Sequence, residues 1–316
     1  MRSALFVLGA LFFGLGTEEC FAATCNPNII ASSVVATWNS SYSSQAVTFS
    51  VTNNSKNACQ YYLGFSHGGG ADYASRRLVS GVDTIGYQLY GDAGLGSVLK
   101  TPPDTLSSSE VLVGEFFHTA SPGAVQTFTY YLSVPQAGVS SPTWRRSGTY
   151  ADTFTIRLYK GSFAPGAATS SDSQSVTISM VMPKIIQLAM VPTGGAFDSG
   201  ATALSMNFGT LVNGAQASFD LRVTTNAGYA VSVSSTNGGV MKHQNPAVTT
   251  TVPYQLNVSG SPVTLSGVTP VTVLTGGGQT ATGGVVAPVA VTVLAVDNRL
   301  AGSYSDVIQV SVATTE

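Results

Sequence analysis

Hydrophobic and polar residues alternate with a period of two along most of this chain, and helical spacing is nearly absent. A period of two sends successive side chains to opposite faces of a strand, so each alternating run predicts a β-strand with one buried face. In the first half the runs are 29–36, 45–52, 60–66, 85–90, 110–117, 126–134, 152–159 and 174–182. In the second half they are 185–191, 203–208, 216–224, 229–235, 252–258, 263–265, 286–296 and 306–312. Clusters of Gly, Pro, Asn and Ser separate them and supply the turns. The Gly/Thr-rich stretch 275–284 reads as a loop, and it lacks the strand-to-helix setting of a phosphate-cradling loop. Many short strands at this spacing predict an all-β protein built of β-sandwiches.

The two halves repeat each other. Tyr62 precedes the glycines Gly68 to Gly70 and is followed 25 residues later by Tyr87-Gln88-Leu89; Tyr229 precedes Gly238-Gly239 and is followed 25 residues later by Tyr254-Gln255-Leu256. Each half then carries a Gly-x-Tyr-x-Asp phrase, at Gly148, Tyr150 and Asp152 and again at Gly302, Tyr304 and Asp306. The expectation is two tandem immunoglobulin-like β-sandwiches, residues 23–182 and 183–316, joined near Pro183, whose missing N–H suits a strand end. Their endings differ. After Tyr159 the first copy passes through loop 160–173 into one more alternating strand, 174–182, whereas nothing equivalent follows 302–312. The C-terminal sandwich is therefore expected to lack its final strand. The gap would be an acceptor groove flanked by Val307, Ile308, Val310 and Val312, with about four uncovered apolar pockets. At about 1.5 to 3 kcal/mol per side chain these are worth roughly 6 to 12 kcal/mol, against a whole-domain stability of about 5 to 15 kcal/mol. A strand from another chain would supply the difference.

Composition narrows the setting. Only 9% of the residues are charged, against about 25% in an average domain. A net charge of -2 offers no basic footprint, so nucleic acid is not an expected partner. At the start, Arg2, the apolar run Ala4 to Leu15 and Cys20-Phe21-Ala22 have the layout of a secretory signal peptide over residues 1–22. The run is too short for a bilayer span. In an oxidising compartment the two remaining cysteines, Cys25 and Cys59, read as one disulfide that stabilises by roughly 3 to 4 kcal/mol; two free thiols or a metal pair are the alternative. Cleavage near Ala23 leaves almost nothing ahead of Cys25. The chain is thus expected to accept a strand without giving one, at the end of a polymer.

The paired Gly-x-Tyr-x-Asp strand ends, the segment Tyr87-Gln88-Leu89-Tyr90-Gly91-Asp92 and Asn207-Phe208-Gly209 resemble the spore coat protein U domain. That family provides the pilin domain of archaic, Csu-type chaperone-usher pili, and two such domains in tandem are similar to the tip adhesin of those pili. The resemblance implies an N-terminal adhesive domain, a C-terminal pilin domain completed by donor-strand complementation, and a role in surface attachment or biofilm formation. Implied partners are a periplasmic pilus chaperone, an outer-membrane usher, an adjacent pilin subunit donating an N-terminal strand, and an abiotic or host surface. The implied location is the cell surface, reached through the periplasm, and no cofactor is implied. Two departures stand out: the second domain has no cysteines, and the loop before Gly148 is extended by Ser140 to Arg146.

Loops 160–173 and 91–109 are expected at the end far from the second domain. They carry the candidate surface-binding residues Phe163, Pro165, Leu95, Val98 and Leu99; the alternative is that these anchor their loops on the sandwich. Trp38, Tyr42 and Trp144 are rival aromatics. A different class of function, a secreted carbohydrate-binding or spore-coat-type structural protein that does not assemble through an usher, fits the same composition. Catalysis is not expected. Gly64-Phe65-Ser66-His67-Gly68 matches Gly-x-Ser-x-Gly and His67-Gly68-Gly69-Gly70 an oxyanion loop, but both fall on one turn and no helix follows Ser66. His67, His118 and His243 stand alone, without a second ligand at metal-binding spacing.

Overall fold

The computed structural model describes residues 25–36, 44–117, 122–134, 145–166 and 169–315. Segment 1–22, Trp38, Tyr42, His118 and Trp144 lie outside them. In the first half the strands are β1 (Pro27–Ile30), β2 (Val34–Ala36), β3 (Ser44–Asn53), β4 (Cys59–Phe65), β5 (Arg77–Ser80), β6 (Asp83–Gly86), β7 (Gln88–Tyr90), β8 (Leu112–Phe116), β9 (Ala124–Ser133), β10 (Gly148–Lys160) and β11 (Asp172–Met182). In the second they are β12 (Ile186–Pro192), β13 (Gln216–Thr225), β14 (Gly228–Ser235), β15 (Val240–His243), β16 (Thr251–Val258), β17 (Ser261–Val263), β18 (Val271–Gly276), β19 (Val285–Val293), β20 (Tyr304–Ser305) and β21 (Ile308–Thr315). The described residues contain no α-helix, and none of their elements is a helix able to cross a membrane.

Each half is a two-sheet sandwich. In the first, a sheet of order β1-β3-β9-β7 faces one of order β2-β11-β10-β4-β8, to which the β5–β6 hairpin is attached. In the second, β12-β13-β19-β16-β15-β20 faces a sheet of three strands, β18-β14-β21. The alternation does what a pleat requires: along β11, Val176, Ile178, Met180 and Met182 are buried, while the residues between them face outward. The first core is aromatic: ring contacts link Phe49, Phe65, Tyr130 and Phe154, and Tyr61 joins them through Phe128. The second core is mostly aliphatic, around Leu221, Val223, Val231, Val289 and Val293.

Several boundaries differ from the pattern for physical reasons. Run 29–36 is two strands, because residues 31–33 carry the chain from one sheet to the other: β1 pairs with β3 and β2 pairs in parallel with β11. Run 203–208 keeps its alternation but joins no ladder. β5, β15 and β18 were not visible as alternation; β5 and β15 are four residues each and charged, and β18 takes in Thr275-Gly276, which the glycine content assigned to a loop.

Candidate functional site

The repeated phrase is a structural device used twice. Gly148 and Gly302 have φ of +142° and +151°, a region open to glycine. Two residues on, the Tyr150 hydroxyl donates to Arg146 O at 2.9 Å and the Tyr304 hydroxyl to Leu300 O at 2.9 Å, so each tyrosine pins the turn that starts its strand. Asp152 then accepts from the Tyr87 hydroxyl at 2.7 Å, and Asp306 from the Tyr254 hydroxyl at 2.6 Å. Burial, and after it the bond to the carboxylate, pushes both phenols well above the usual tyrosine value. The registers correct one anchor of the repeat. Tyr61 lies opposite Lys160 and Tyr229 opposite Thr314, each ten residues beyond the corner tyrosine, so the counterpart of Tyr229 is the core-facing Tyr61 and not Tyr62.

With that register, β10 and β21 align residue by residue, and their surroundings do not. Phe154, Ile156 and Leu158 are each 0% exposed, covered by β11 along the full strand. Their counterparts Ile308, Val310 and Val312 are only half-buried. β21 pairs with β14 on one side, and among the described residues no strand lies along its other edge. Beneath that edge is a cavity of about 950 Å³ that reaches the core residues Leu221, Val233, Leu256 and Val291. Of the expected groove residues, Val307, Ile308 and Val310 line it, Val307 being 64% exposed where β20 gives way to β21. Val312 does not line the cavity and packs against the core.

The groove has a direction. β21 ends at Thr315, whose carbonyl accepts from Lys184 Nζ at 3.3 Å, next to the link between the sandwiches. That link is held by Asn226, 1% exposed: its side chain accepts from Ile185 N–H at 2.8 Å and donates to Pro183 O at 2.9 Å, and its carbonyl accepts from Ser147 N–H at 2.9 Å. Asn53 plays the matching part in the first sandwich, accepting from Asn26 N–H at 3.3 Å. Beside Asn26 the Cys25–Cys59 disulfide fixes the chain. At the matching point of the second sandwich, which has no cysteine pair, the chain arrives directly from β11 and is held by Asn226.

The candidate surface loops do not gather at one end. β10 starts at the link and runs 13 residues, about 40 Å, to Lys160, so loop 160–173 does lie at the far end. There Pro165 is exposed, but Phe163 packs edge-on to Tyr62 at 5.5 Å, in a small cluster with Val111 and Tyr159. Loop 91–109 instead lies along the flank of β4, where Lys100 O accepts from Phe65 N–H at 3.0 Å. Leu99 is 0% exposed and belongs to the core, which corrects its expected place at the surface; Leu95 and Val98 are half-buried. Large apolar side chains exposed near the far end include Phe117 and Val125, which neighbour Phe116 opposite Cys59 and Ala124 opposite Asn53.

Around Ser66 the turn is structural. Its hydroxyl accepts from Thr155 N–H at 2.8 Å, and the His67 ring meets Tyr73 edge-on at 5.8 Å. Alternation carries no signal for Arg76, 1% exposed, whose guanidinium donates to Phe65 O, Ser66 O, Leu99 O and Gln88 Oε1 and so ties loop 91–109 to β4. Burial lowers its pKa to about 10. No group of three or more His, Cys, Asp or Glu able to hold a metal occurs among the described residues.

Fold and groove together define a class of protein: tandem immunoglobulin-like sandwiches, the second with an open sheet edge. Residues 18–157, which span most of the first sandwich, match the family model of the Spore Coat Protein U domain. Among solved structures, the chain is similar to the CsuC–CsuE chaperone–tip adhesion subunit pre-assembly complex of archaic chaperone-usher Csu pili from Acinetobacter baumannii, at 15% identity over 91% of this chain and 99% of that one, with a TM-score of 0.42. It is also similar to the CupB6 tip adhesin of Pseudomonas aeruginosa, at 12% identity over 91% and 94% of the two chains, TM-score 0.39. A third is CfaE, the adhesive subunit of CFA/I fimbria of enterotoxigenic Escherichia coli, at 13% identity over 91% and 93%, TM-score 0.39. No curated protein matches the chain.

Proposed function

We propose that this protein is the adhesive tip subunit of a chaperone-usher pilus. Residues 23–182 form the adhesive domain and 183–316 a pilin domain completed by a strand from the neighbouring subunit, after an export signal in residues 1–22. The observation that carries the reading is the open edge of β21 above a cavity of about 950 Å³, beside a copy of the same sandwich whose matching edge is filled. An exposed edge over an apolar groove is a template for an added strand. The match of residues 18–157 to the Spore Coat Protein U domain supports the same reading. A periplasmic chaperone would hold the groove before assembly, an usher would pass the subunit outward, and a pilin would then take the chaperone's place. The far end of the first sandwich, with Pro165, Phe117 and Val125, is the face left to meet a surface. The protein acts by binding, without catalysis or cofactor.

Immunogold labelling of an epitope-tagged chain on filaments of the source cell tests this. The label belongs at one end of each filament, and deleting the gene should abolish attachment. Label along the shaft, or attachment unchanged by the deletion, would contradict it. Genes for a chaperone and an usher beside this one are the expected setting.

A further inference from the structure

We propose that His243 is a proton-operated latch on the turn that closes one end of the groove: its neutral ring holds residues 300–303 against β15, and protonation releases them. The latch would regulate the groove, and to that extent it rests on the strand-acceptor reading above.

The repeat shows what sets this corner apart. Val79 lies opposite Ala151 in the first sandwich, and Lys242 lies opposite Ser305, the counterpart of Ala151, in the second. One residue further on, Ser80 and His243 therefore hold the same place. Ser80 faces Gly148 loosely, its hydroxyl 3.5 Å from where a Cβ would stand. The imidazole of His243 sits so close on Gly302 that any side chain there would collide with Nε2. Histidine changes charge roughly between pH 5 and pH 8, and serine does not. Only the second sandwich carries a titratable group at this corner.

The hydrogen bonds fix the state of the ring. Nδ1 accepts from Asn245 N–H at 2.9 Å, so the ring is neutral and carries its proton on Nε2, which donates to Ala301 O at 3.3 Å. The ring also meets Tyr304 edge-on at 5.0 Å. Two more bonds hold the turn: Gln244 N–H donates to Ser303 O at 2.8 Å, and the Tyr304 hydroxyl to Leu300 O at 2.9 Å. Residues 300–304 line the cavity. They do so at the end away from the link, because β21 runs from here to Thr315, beside Lys184.

A second proton makes Nδ1 a donor and sets it against Asn245 N–H. The new charge meets no counter-ion. Lys242 is its neighbour on β15, the turn brings Arg299, β20 presents Tyr304, and residues 244–250 include no charged side chain. The Asp306 carboxylate is already taken by the hydroxyls of Tyr254 and Ser235 and by Asn237 N–H. Among the described residues no salt bridge involves His243. A half-buried cation with two cations on adjacent segments is better solvated outside, and the ring cannot move out without freeing Ala301 and Gly302. The open corner therefore takes up the proton more readily than the closed one, so the closed form is favoured as pH rises and lost as pH falls.

The test is amide protection in the full chain at about pH 7.5 and about pH 5.5, corrected for the intrinsic exchange rate at each pH, with the His243 ring followed by NMR in the same samples. On acidification, protection of 300–304 should fall about tenfold or more, in step with the ring, and that of β13 by no more than about twofold. His243→Ser, which installs the residue of the first sandwich, should remove the pH response, and His67→Gln should keep it. A peptide of residues 172–182, the sequence of β11, should enter the groove about tenfold faster at the lower pH in the unaltered chain, and at one rate in His243→Ser. A ring that titrates while protection of 300–304 stays constant, or a pH response that survives His243→Ser, overturns the latch. Loss of protection with peptide entry indifferent to pH overturns its control of the groove. A peptide that enters at neither pH while protection still follows the ring overturns the strand-acceptor reading and leaves the latch standing.

Discussion

β10 and β21 start from the same turn. β10 begins with, and β21 is led in through β20 by, a glycine at positive φ, a corner tyrosine and an aspartate that receives a buried phenol. Two residues after the aspartate their fates part: Phe154, Ile156 and Leu158 are sealed under β11, whereas Ile308, Val310 and Val312 stay half-buried, the first two lining an open groove. The strand itself is as well specified in one copy as in the other. What differs is the neighbour, so the difference measures the worth of one missing strand, with nearly everything else held constant by the repeat.

The largest expected effect comes from supplying that strand in cis. Joining a second copy of residues 172–182 after Thr315 through a flexible linker should raise the stability of the second sandwich by several kcal/mol, at about 1.5 to 3 kcal/mol per covered side chain, read by urea unfolding. No gain would mean that the groove does not accept the β11 pattern. Truncation in the two cores comes next. Phe154→Ala should cost about 3 to 5 kcal/mol, and Ile308→Ala only about 1 kcal/mol until the strand is supplied, when its cost should rise toward the full core value. Equal costs in the bare protein would erase the comparison. Reducing the Cys25–Cys59 bond, which closes a separation of 34 residues, should cost about 4 kcal/mol in the first sandwich and nothing in the second.

Two smaller effects should be the same in both halves. Tyr150→Phe and Tyr304→Phe each remove one corner bond, at about 1 kcal/mol; a much larger loss in one copy would show that the corners are not equivalent. Tyr87 and Tyr254 have folded-state pKa values raised above 10.0. Below pH 10 both phenols are protonated in the folded and unfolded chain and contribute no pH dependence. Above it the unfolded chain releases protons that the folded chain holds, so stability falls as pH rises, by under about 1 kcal/mol per tyrosine in the first half unit. A stability that stays flat or rises from pH 9 to 10.5 would argue against their burial.

Most of the strands, the two-copy plan and the open edge were legible in the sequence, because period two and a repeat are local signals. Comparing 148–158 with 302–312 was enough to expect the unpaired edge that β21 shows among the described residues. Run 203–208 shows the limit: its alternation was read as a strand, but a ladder needs a neighbour, and the neighbour is what the second sandwich lacks. The placing of Leu99 failed for a different reason. Which loops reach the far end depends on how the chain folds back, and it is the buried guanidinium of Arg76, with no signature in alternation, that holds 91–109 against β4. Asn226 was invisible on the same ground, since one buried asparagine between Thr225 and Ala227 looks like any turn residue. The slip from Tyr61 to Tyr62 is a one-residue error in a tyrosine pair, which only the pairing register resolves.

The most direct test of a complete and an incomplete sandwich in one chain is scanning calorimetry of the purified protein, with and without the peptide 172–182 and with and without reductant. Two transitions are predicted: an upper one that reductant lowers, belonging to the sandwich with the disulfide, and a lower one that only the peptide raises. A single transition in the bare protein, or a lower transition that moves with reductant and ignores the peptide, would contradict the account.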